Sequence, residues 1–101
     1  FHINNIMKAV CRLTDTCTGH GCWPSRANST ASPSVHVDNL PVHRQSDSWE
    51  THCCGPLCHD SFLSSGSGSV YVENKQIGRV TDPIACGSTV QTGSETVFAG
   101  D

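Results

Sequence analysis

Hydrophobic residues occur along this chain in short alternating runs rather than at helical spacing. Val35 and Val37 flank a polar residue, and Val70 and Val72 flank Tyr71. Because alternate residues of an extended chain share one face, each run predicts a short strand that is buried on its valine side. No amphipathic helical stretch longer than a turn or two is present in the sequence. The pattern therefore predicts an all-β fold.

A turn signal and a second short strand follow each run. The turns are predicted at Asp38–Asn39 and Glu73–Asn74, because Asn tolerates the positive φ that a tight hairpin requires. The second strands are predicted over Pro41–Arg44 and Gln76–Val80. Neither turn contains the favoured Asn-Gly pair, so the sequence leaves the turn type open.

The chain also repeats itself. Residues 31–47 align without a gap on residues 66–82, and a truncated third copy occupies residues 93–101. The missing half of that copy lies at the other end of the chain, at Lys8–Asp15. We interpret the domain as three β-hairpin copies with pseudo-threefold symmetry, one of them split between the termini. The two complete copies are identical at Ser32/Ser67, Ser34/Ser69, Val35/Val70, Val37/Val72, Asn39/Asn74, Arg44/Arg79 and Asp47/Asp82.

The composition limits the size of the hydrophobic core. The chain has 101 residues, 36% of them hydrophobic, and seven of those are cysteines. A core this small usually needs disulfides, a metal or a covering partner. A net charge of −3 with six Lys and Arg argues against a nucleic-acid partner. No apolar run reaches the roughly 20 residues of a membrane-spanning helix.

The first residues are expected to lie outside the domain. Met7-Lys8 resembles a native start, so we expect residues 1–6 to be a cloning remnant. Residues 7–101 are then expected to form a single domain. His2 belongs to the remnant and is not a candidate for any site.

Cysteine and histidine supply the candidate stabilising chemistry. Seven cysteines leave one unpaired in a disulfide framework, which counts against a scaffold held by disulfides alone. With six histidines beside them, a reduced protein that binds a metal fits better. Cys11, Cys17 and Cys22 are expected to be small buried residues. A disulfide between Cys53 and Cys54 stays an open alternative.

A metal-binding donor follows the Arg-x-[Thr/Ser]-Asp end of every copy at nearly the same distance. His20 and His52 each come five residues after the Asp, and Cys86 comes four residues after it. Because loops at equivalent positions converge on a symmetry axis, these donors are predicted to lie close together. A single loop histidine carries no such implication, but the coincidence across copies favours a metal site.

A fourth donor would complete a tetrahedral site. Zn²⁺ prefers four nitrogen or sulfur ligands, and a structural site leaves no position open. The segment after His52 is the longest of the three loops and offers several donors. We choose His59, with Cys58 and His43 as alternatives. The predicted ligands are His20, His52, His59 and Cys86.

Several motifs resemble the PAAR-repeat family. The stretch "PVHR" at 41–44 occupies the place of the Pro-Ala-Ala-Arg tetrapeptide that names the family. The stretches "RVTDP" at 79–83 and "CGSTVQTGS" at 86–94 agree in order and spacing. The resemblance covers Lys8–Asp101. Among members of the family, the chain is most similar to the small stand-alone spike-tip proteins of T-even bacteriophages.

The resemblance implies a fold, a metal and a partner. The fold is a small cone with a metal site near its apex, where zinc, or alternatively iron, is bound by three His and one Cys. The broad base is expected to dock on the end of a trimeric β-helical spike, as a monomeric tip on a homotrimer. Matched motif by motif, the ligands are again His20, His52, His59 and Cys86.

The resemblance also implies a function and a location. We expect a sharp tip that caps the spike of a contractile injection machine in a phage tail baseplate and helps to pierce the target envelope. It would contact the bacterial outer membrane transiently. It would be made in the host bacterial cytoplasm and then reside in the virion, at the tip of the tail spike. The alternative is a type VI secretion spike tip. Some relatives carry toxin extensions, and because the chain ends at Asp101 we expect none here.

Three other classes of protein compete with this interpretation. A zinc enzyme would keep a bound water and need a general base; Glu50 and Asp60 flank the predicted ligands, but a fourth protein ligand argues against catalysis. A zinc-finger-like nucleic-acid binder would need a basic recognition helix, which the pattern does not predict. A secreted disulfide scaffold is the third. We expect no enzymatic activity.

Overall fold

The computed structural model describes residues 7–101 and confirms the predicted all-β fold. In this range the chain forms strands, turns and isolated bridges without any helix. Accordingly, none of the described residues form a helix that is long and apolar enough to cross a membrane. The strands are β1 (Lys8–Ala9), β2 (His36–Val37), β3 (Leu40–Pro41), β4 (Ser48–Cys54), β5 (Leu57–Phe62), β6 (Tyr71–Val72), β7 (Lys75–Gln76) and β8 (Phe98–Ala99).

These strands form four antiparallel pairs. The pairs β2–β3, β4–β5 and β6–β7 are hairpins of consecutive strands. The fourth pair joins β1 to β8, with Lys8 opposite Ala99 and Ala9 opposite Phe98. The two ends of the described chain therefore complete one hairpin between them, as the split third copy leads one to expect.

The hairpin turns have a definite type. The residues of Asp38–Asn39 have φ values of 54° and 66°, and those of Glu73–Asn74 have 49° and 66°. Positive φ at both central residues is the signature of a type I′ turn, whose twist matches that of the flanking strands. The carboxylate and amide side chains of these residues tolerate that conformation.

The second strand of each hairpin is shorter than predicted. Strand β3 ends at Pro41 and β7 ends at Gln76, whereas the sequence predicted strands to Arg44 and Val80. The reason is that the chain leaves its hairpin partner at these points and bridges to another copy. The isolated bridges formed in this way are Arg12 to Val42, Arg44 to Ile77 and Val10 to Arg79.

A ring of backbone hydrogen bonds joins three segments of the chain that are distant in sequence. The N–H of Cys11 donates to the carbonyl of Gly78 at 2.8 Å, and the N–H of Gly78 donates to the carbonyl of His43 at 2.8 Å. The N–H of His43 completes the ring at the carbonyl of Cys11, at 2.9 Å. Each residue immediately precedes the Arg of its copy. The three-copy interpretation stays a prediction. Three symmetric copies would be expected to form a cyclic set of hydrogen bonds such as this one.

Two small hydrophobic clusters lie next to this ring. Val10, Val42 and Ile77 form the centre of the first cluster, together with Val72 and Ala99. The second cluster packs against Cys86, one of the predicted ligands. It contains Cys11, Cys17, Trp49, Leu63, Ile84 and Val90.

Ion pairs hold the copies to one another. Three Arg side chains each contact the Asp three residues later and also a second acidic residue, which lies in a hairpin turn or at the C-terminal end of the chain, at distances of 2.8–3.0 Å. Because these arginines are largely buried, their carboxylate partners offset the cost of desolvation. The pairs are Arg12 with Asp15 and Asp38, Arg44 with Asp47 and Glu73, and Arg79 with Asp82 and Asp101.

Candidate metal centre

Two of the predicted ligands lie on one long hairpin. The sequence placed His52 and His59 in a loop, but the structure forms strands β4 and β5 there, with His52 directly opposite His59. A register irregularity between Trp49 and His52 shifts the ladder before the ligands. The prediction of a loop was wrong because this hairpin lacks alternating apolar residues and is paired through His and Cys side chains instead.

A tight loop presents the third imidazole. The backbones of His20 and Trp23 exchange two hydrogen bonds, of 2.8 and 3.0 Å. Gly19 has φ of 74°, and a Cβ there would lie 2.6 Å from the carbonyl oxygen of Trp23. Gly19 therefore satisfies both a left-handed backbone and a close approach that a larger residue would block.

The thiol reaches the same place from a separate turn. Cys86 lies within the segment that bridges Pro83 to Thr89. Its backbone N–H donates to the hydroxyl of Ser61 on β5 at 3.0 Å. This bond ties the Cys86 turn to the hairpin that carries His59.

The four predicted ligands converge in the structure. The Nε2 atom of His20 lies 3.2 Å from that of His52 and 3.1 Å from that of His59, and the last two are 2.7 Å apart. With the Sγ atom of Cys86 included, all four donor atoms lie within 4.8 Å of one another. Zinc with bonds of about 2.0–2.1 Å would separate nitrogen ligands by about 3.3 Å. This His/Cys group could therefore hold a metal ion.

Comparison with known proteins assigns the family. The PAAR motif matches residues 18–92, which include all four converging residues. The chain belongs to the PAAR motif family. This match confirms the family resemblance predicted from the sequence. PAAR proteins form the spike tips of secretion or injection machines.

Two curated relatives from Pseudomonas aeruginosa contain a similar segment. They are the NAD(P)(+) glycohydrolase toxin Tse6 of strain PAO1 and the (p)ppApp synthetase toxin Tas1 of strain UCBPP-PA14. Each is 30% identical to this chain over 73 residues. The alignment covers 66% of this PAAR chain but only 17% of each toxin.

The imidazoles are in the form that binds metals. The Nδ1–H of His52 donates to the carbonyl of Pro24 at 2.7 Å, which leaves the lone pair of Nε2 directed at the cluster. Desolvation, followed by repulsion from His52 and Arg26, lowers the pKa of both His20 and His59. At neutral pH these side chains are therefore neutral and able to donate electron pairs.

Neither of the alternative ligands, Cys58 and His43, belongs to the group of four converging residues. Cys58 is paired with Cys53 in a disulfide. His43 is fully buried, and its Nδ1–H donates to the carbonyl of Thr30 at 2.9 Å. Burial lowers the pKa of His43 to about 4, so it is a neutral core residue. His36 is exposed, as predicted. The predicted valine face is buried only in part, since Val72 is buried whereas Val35 and Val70 are exposed. His2 lies outside the described residues.

Trp23 covers the imidazole cluster. Its ring stacks on those of His20 and His59, with centroids 5.0 Å apart in both cases. The indole N–H donates to the carbonyl of Leu57 at 3.0 Å, which fixes the ring over the site. Sequence reasoning missed this role, although the position of Trp23 three residues after His20 was a usable signal.

Arg26 lies beside the thiol of Cys86. Its guanidinium is 3.6 Å from the sulfur of Cys86 and 3.1 Å from that of Cys17, and it also donates to the carbonyl of Glu50. Arg26 therefore places a positive, hydrogen-bonding group next to the sulfur of Cys86. Burial opposes a thiolate at Cys17, but hydrogen bonds from Ser88 and Arg26 outweigh it and lower the pKa of Cys17. No motif in the sequence indicates this role for Arg26.

Four further cysteines form two disulfides, which contradicts the expectation of a fully reduced protein. Cys22 pairs with Cys54, and Cys53 pairs with Cys58. The vicinal Cys53–Cys54 disulfide is therefore not formed, since consecutive strand residues point to opposite faces. Cys22 is exposed rather than buried, because it lies at the outer side of the His20 loop. The free cysteines are Cys11, Cys17 and Cys86.

Proposed function

We propose that this PAAR protein is the metal-stabilised tip of a contractile injection machine, seated on the end of a trimeric β-helical spike. The observation that carries the proposal is membership of the PAAR family across residues 18–92. The assignment to a phage tail baseplate, and hence to the virion, rests on similarity to the stand-alone phage tips. A type VI secretion tip is the second candidate, favoured by the similarity to two Pseudomonas toxins.

The proposed metal is zinc, bound by His20, His52, His59 and Cys86. Three nitrogen donors and one sulfur donor suit a tetrahedral zinc site, and a fourth protein ligand leaves no position for a reactive water. The metal would therefore be structural rather than catalytic. Metal binding free energy then contributes directly to folding, at the place where the hydrophobic clusters end.

The proposed docking face is a set of three valines at corresponding positions. Val35, Val70 and Val97 are exposed to nearly the same degree, at 38%, 37% and 38%. Their carbonyls accept hydrogen bonds from Val42, Ile77 and Val10, so they adjoin the first hydrophobic cluster and not the one packed against Cys86. Three equivalent apolar contacts fit a partner with true threefold symmetry, which supports a homotrimeric spike.

Piercing follows from the same arrangement. In this proposal, a tip docked through the valine face presents the His20 loop and the β4–β5 hairpin to the target membrane. A metal that joins these elements would keep the apex from fraying when it meets the outer membrane. The contact with the membrane is transient in this proposal.

The proposal can be tested by metal analysis and by reconstitution with two spikes. The purified protein should contain one zinc per chain; His20→Ala should lose it, whereas His36→Ala, an exposed imidazole, should retain it. Trimeric β-helical fragments from a tailed phage and from a type VI secretion system should then be mixed with the protein and examined by light scattering.

We expect one chain per trimer with the phage fragment, and loss of binding in Val70→Glu but not in Gln91→Glu, which changes an exposed residue elsewhere. Binding only to the secretion fragment would favour the second candidate. Binding to neither fragment, by a zinc-loaded protein, would contradict the docking proposal.

A further inference from the structure

We infer that the four cysteines around the metal centre are a redox modification site, in which two disulfides slow the release of the metal. The inference rests on the proposed metal centre but goes beyond it, since none of these cysteines is a ligand. It is drawn from where the two pairs lie in the chain relative to the three imidazoles.

The first pair joins two segments that each carry a ligand. Cys22 comes two residues after His20, and Cys54 comes two residues after His52. Their Cα atoms are 5.3 Å apart, which is an ordinary separation for a disulfide. The cross-link therefore fastens the His20 loop to strand β4, two segments that are otherwise distant in sequence.

The second pair joins the two strands of the long hairpin. Cys53 and Cys58 are directly opposite in the β4–β5 ladder, with Cα atoms 4.0 Å apart. Cys53 is adjacent to His52, and Cys58 is adjacent to His59. Together the two disulfides place a covalent bond within two residues of every imidazole in the cluster.

The four sulfurs form two pairs rather than a second metal site. Cys53 and Cys54 are consecutive on β4, so their side chains point to opposite faces of the hairpin. Cys22, Cys53 and Cys58 are exposed, and Cys54 is half-buried, so reagents in solution can reach both pairs. The thiol ligand Cys86 stays outside both cross-links.

The chemistry of each pair is a two-electron exchange. Two thiols lose two protons and two electrons and form one S–S bond, while an external disulfide such as oxidised glutathione accepts them and becomes two thiols. A dithiol or phosphine reductant reverses the step. Such bonds are disfavoured in a reducing cytosol and persist outside the cell, so the tip would be cross-linked after leaving the cell that makes it.

The cross-links affect the metal through the chain that carries its ligands. Release of the metal would require one imidazole to move away from it first and the others to move away afterwards. A disulfide restricts that motion, because it removes conformational freedom from the segments that would have to open. The oxidised protein would therefore keep the three imidazoles close together even when one of them is displaced, which would slow the loss of a bound metal.

The test compares zinc release from oxidised and reduced protein. The zinc-loaded chain is treated with oxidised glutathione or with a phosphine reductant, and release to a chromogenic chelator is followed by absorbance. Peptide mapping after thiol alkylation identifies the disulfides in the same samples. We expect Cys22–Cys54 and Cys53–Cys58 in the oxidised protein, with release slower by on the order of tenfold. Thermal unfolding of the metal-free protein should also occur at higher temperature when it is oxidised.

The matched control is the variant Cys22→Ser/Cys53→Ser/Cys54→Ser/Cys58→Ser. It should release zinc at one rate under both conditions, close to that of the reduced native chain. A different pairing in the map, or equal release rates from oxidised and reduced native protein, would overturn the inference and leave the metal centre intact. A cross-linked protein that binds no zinc would contradict the metal centre itself and, with it, the effect on metal release.

Discussion

The two halves of this molecule are held together by different interactions. Around the ring formed by Cys11, His43 and Gly78, stability comes from backbone hydrogen bonds, valine packing and buried arginine–carboxylate pairs. Around His52, the same chain instead brings together three imidazoles, a thiol and two disulfides. The difference teaches how a thin core can be supplemented: packing and ion pairs stabilise the region of the ring, and in the proposed function a metal and disulfides stabilise the region of His52.

Removal of the metal should produce the largest difference in stability between the two halves. Removing zinc with EDTA at neutral pH should lower the melting temperature by at least about 20 °C, because metal binding contributes directly to folding. Hydrogen exchange should show lost protection in residues 48–62 before the amides of Cys11, His43 and Gly78. EDTA saturated with zinc is the control. An unchanged melting temperature in a protein shown to have lost its zinc would contradict the claim that the metal stabilises the half around His52.

Arg79→Met should destabilise the half around the ring and leave the zinc content unchanged. The Arg79 and Asp82 side chains are both 5% exposed and form a 2.9 Å ion pair, so the variant leaves a buried carboxylate without its partner. The expected loss is about 3–5 kcal/mol in the free energy of unfolding, measured with denaturant. Lys75→Met changes a half-buried cation on strand β7 and should cost much less. A variant of Arg79 that also loses its zinc would show that the halves are not independent.

Acid should act through His43, the buried imidazole of the ring. Its pKa is about 4 in the folded protein and about 6.5 when unfolded, so the unfolded chain binds the extra proton between these values. Stability should therefore fall as the pH drops from about 6.5 and level off below about 4, for a total near 3 kcal/mol.

The contribution of His43 can be isolated with His43→Gln at saturating zinc. Both proteins share the titration of the ligands, so the difference between their stability curves reports His43 alone. The curve of the variant should be flatter between pH 4 and 6.5. Parallel curves would mean that His43 does not titrate as a buried group.

Gly78→Ala should produce the smallest of these effects. A Cβ at this position would lie 2.8 Å from Cδ2 of Leu63 and 3.0 Å from the carbonyl oxygen of His43. We expect a loss of about 1–3 kcal/mol by overpacking, with unchanged zinc content. Gly68→Ala is the control, since its nearest contact would be an ordinary 3.9 Å. Equal stability of the two variants would contradict close packing at the ring.

The regular half of the fold could be predicted from the sequence because its pattern is local. Alternating valines and Asn-containing turns indicated the short hairpins, and the nearly equal spacing of His20, His52 and Cys86 after each Arg-x-x-Asp indicated that these three donors meet. The β4–β5 hairpin could not be predicted in this way, since Cys53 and Cys58 pair across strands without apolar alternation. Disulfide connectivity cannot be read from spacing. The role of Arg26 depends on a tertiary contact with Cys86 that no motif encodes.

The most direct test of the account is anomalous diffraction at the zinc absorption edge from crystals of the native protein. We predict one zinc peak per chain, at about 2.0–2.1 Å from the Nε2 atoms of His20, His52 and His59 and about 2.3 Å from the Sγ atom of Cys86. A peak elsewhere, or no peak in protein purified without chelators, would contradict the claim that a metal holds this end of the molecule together.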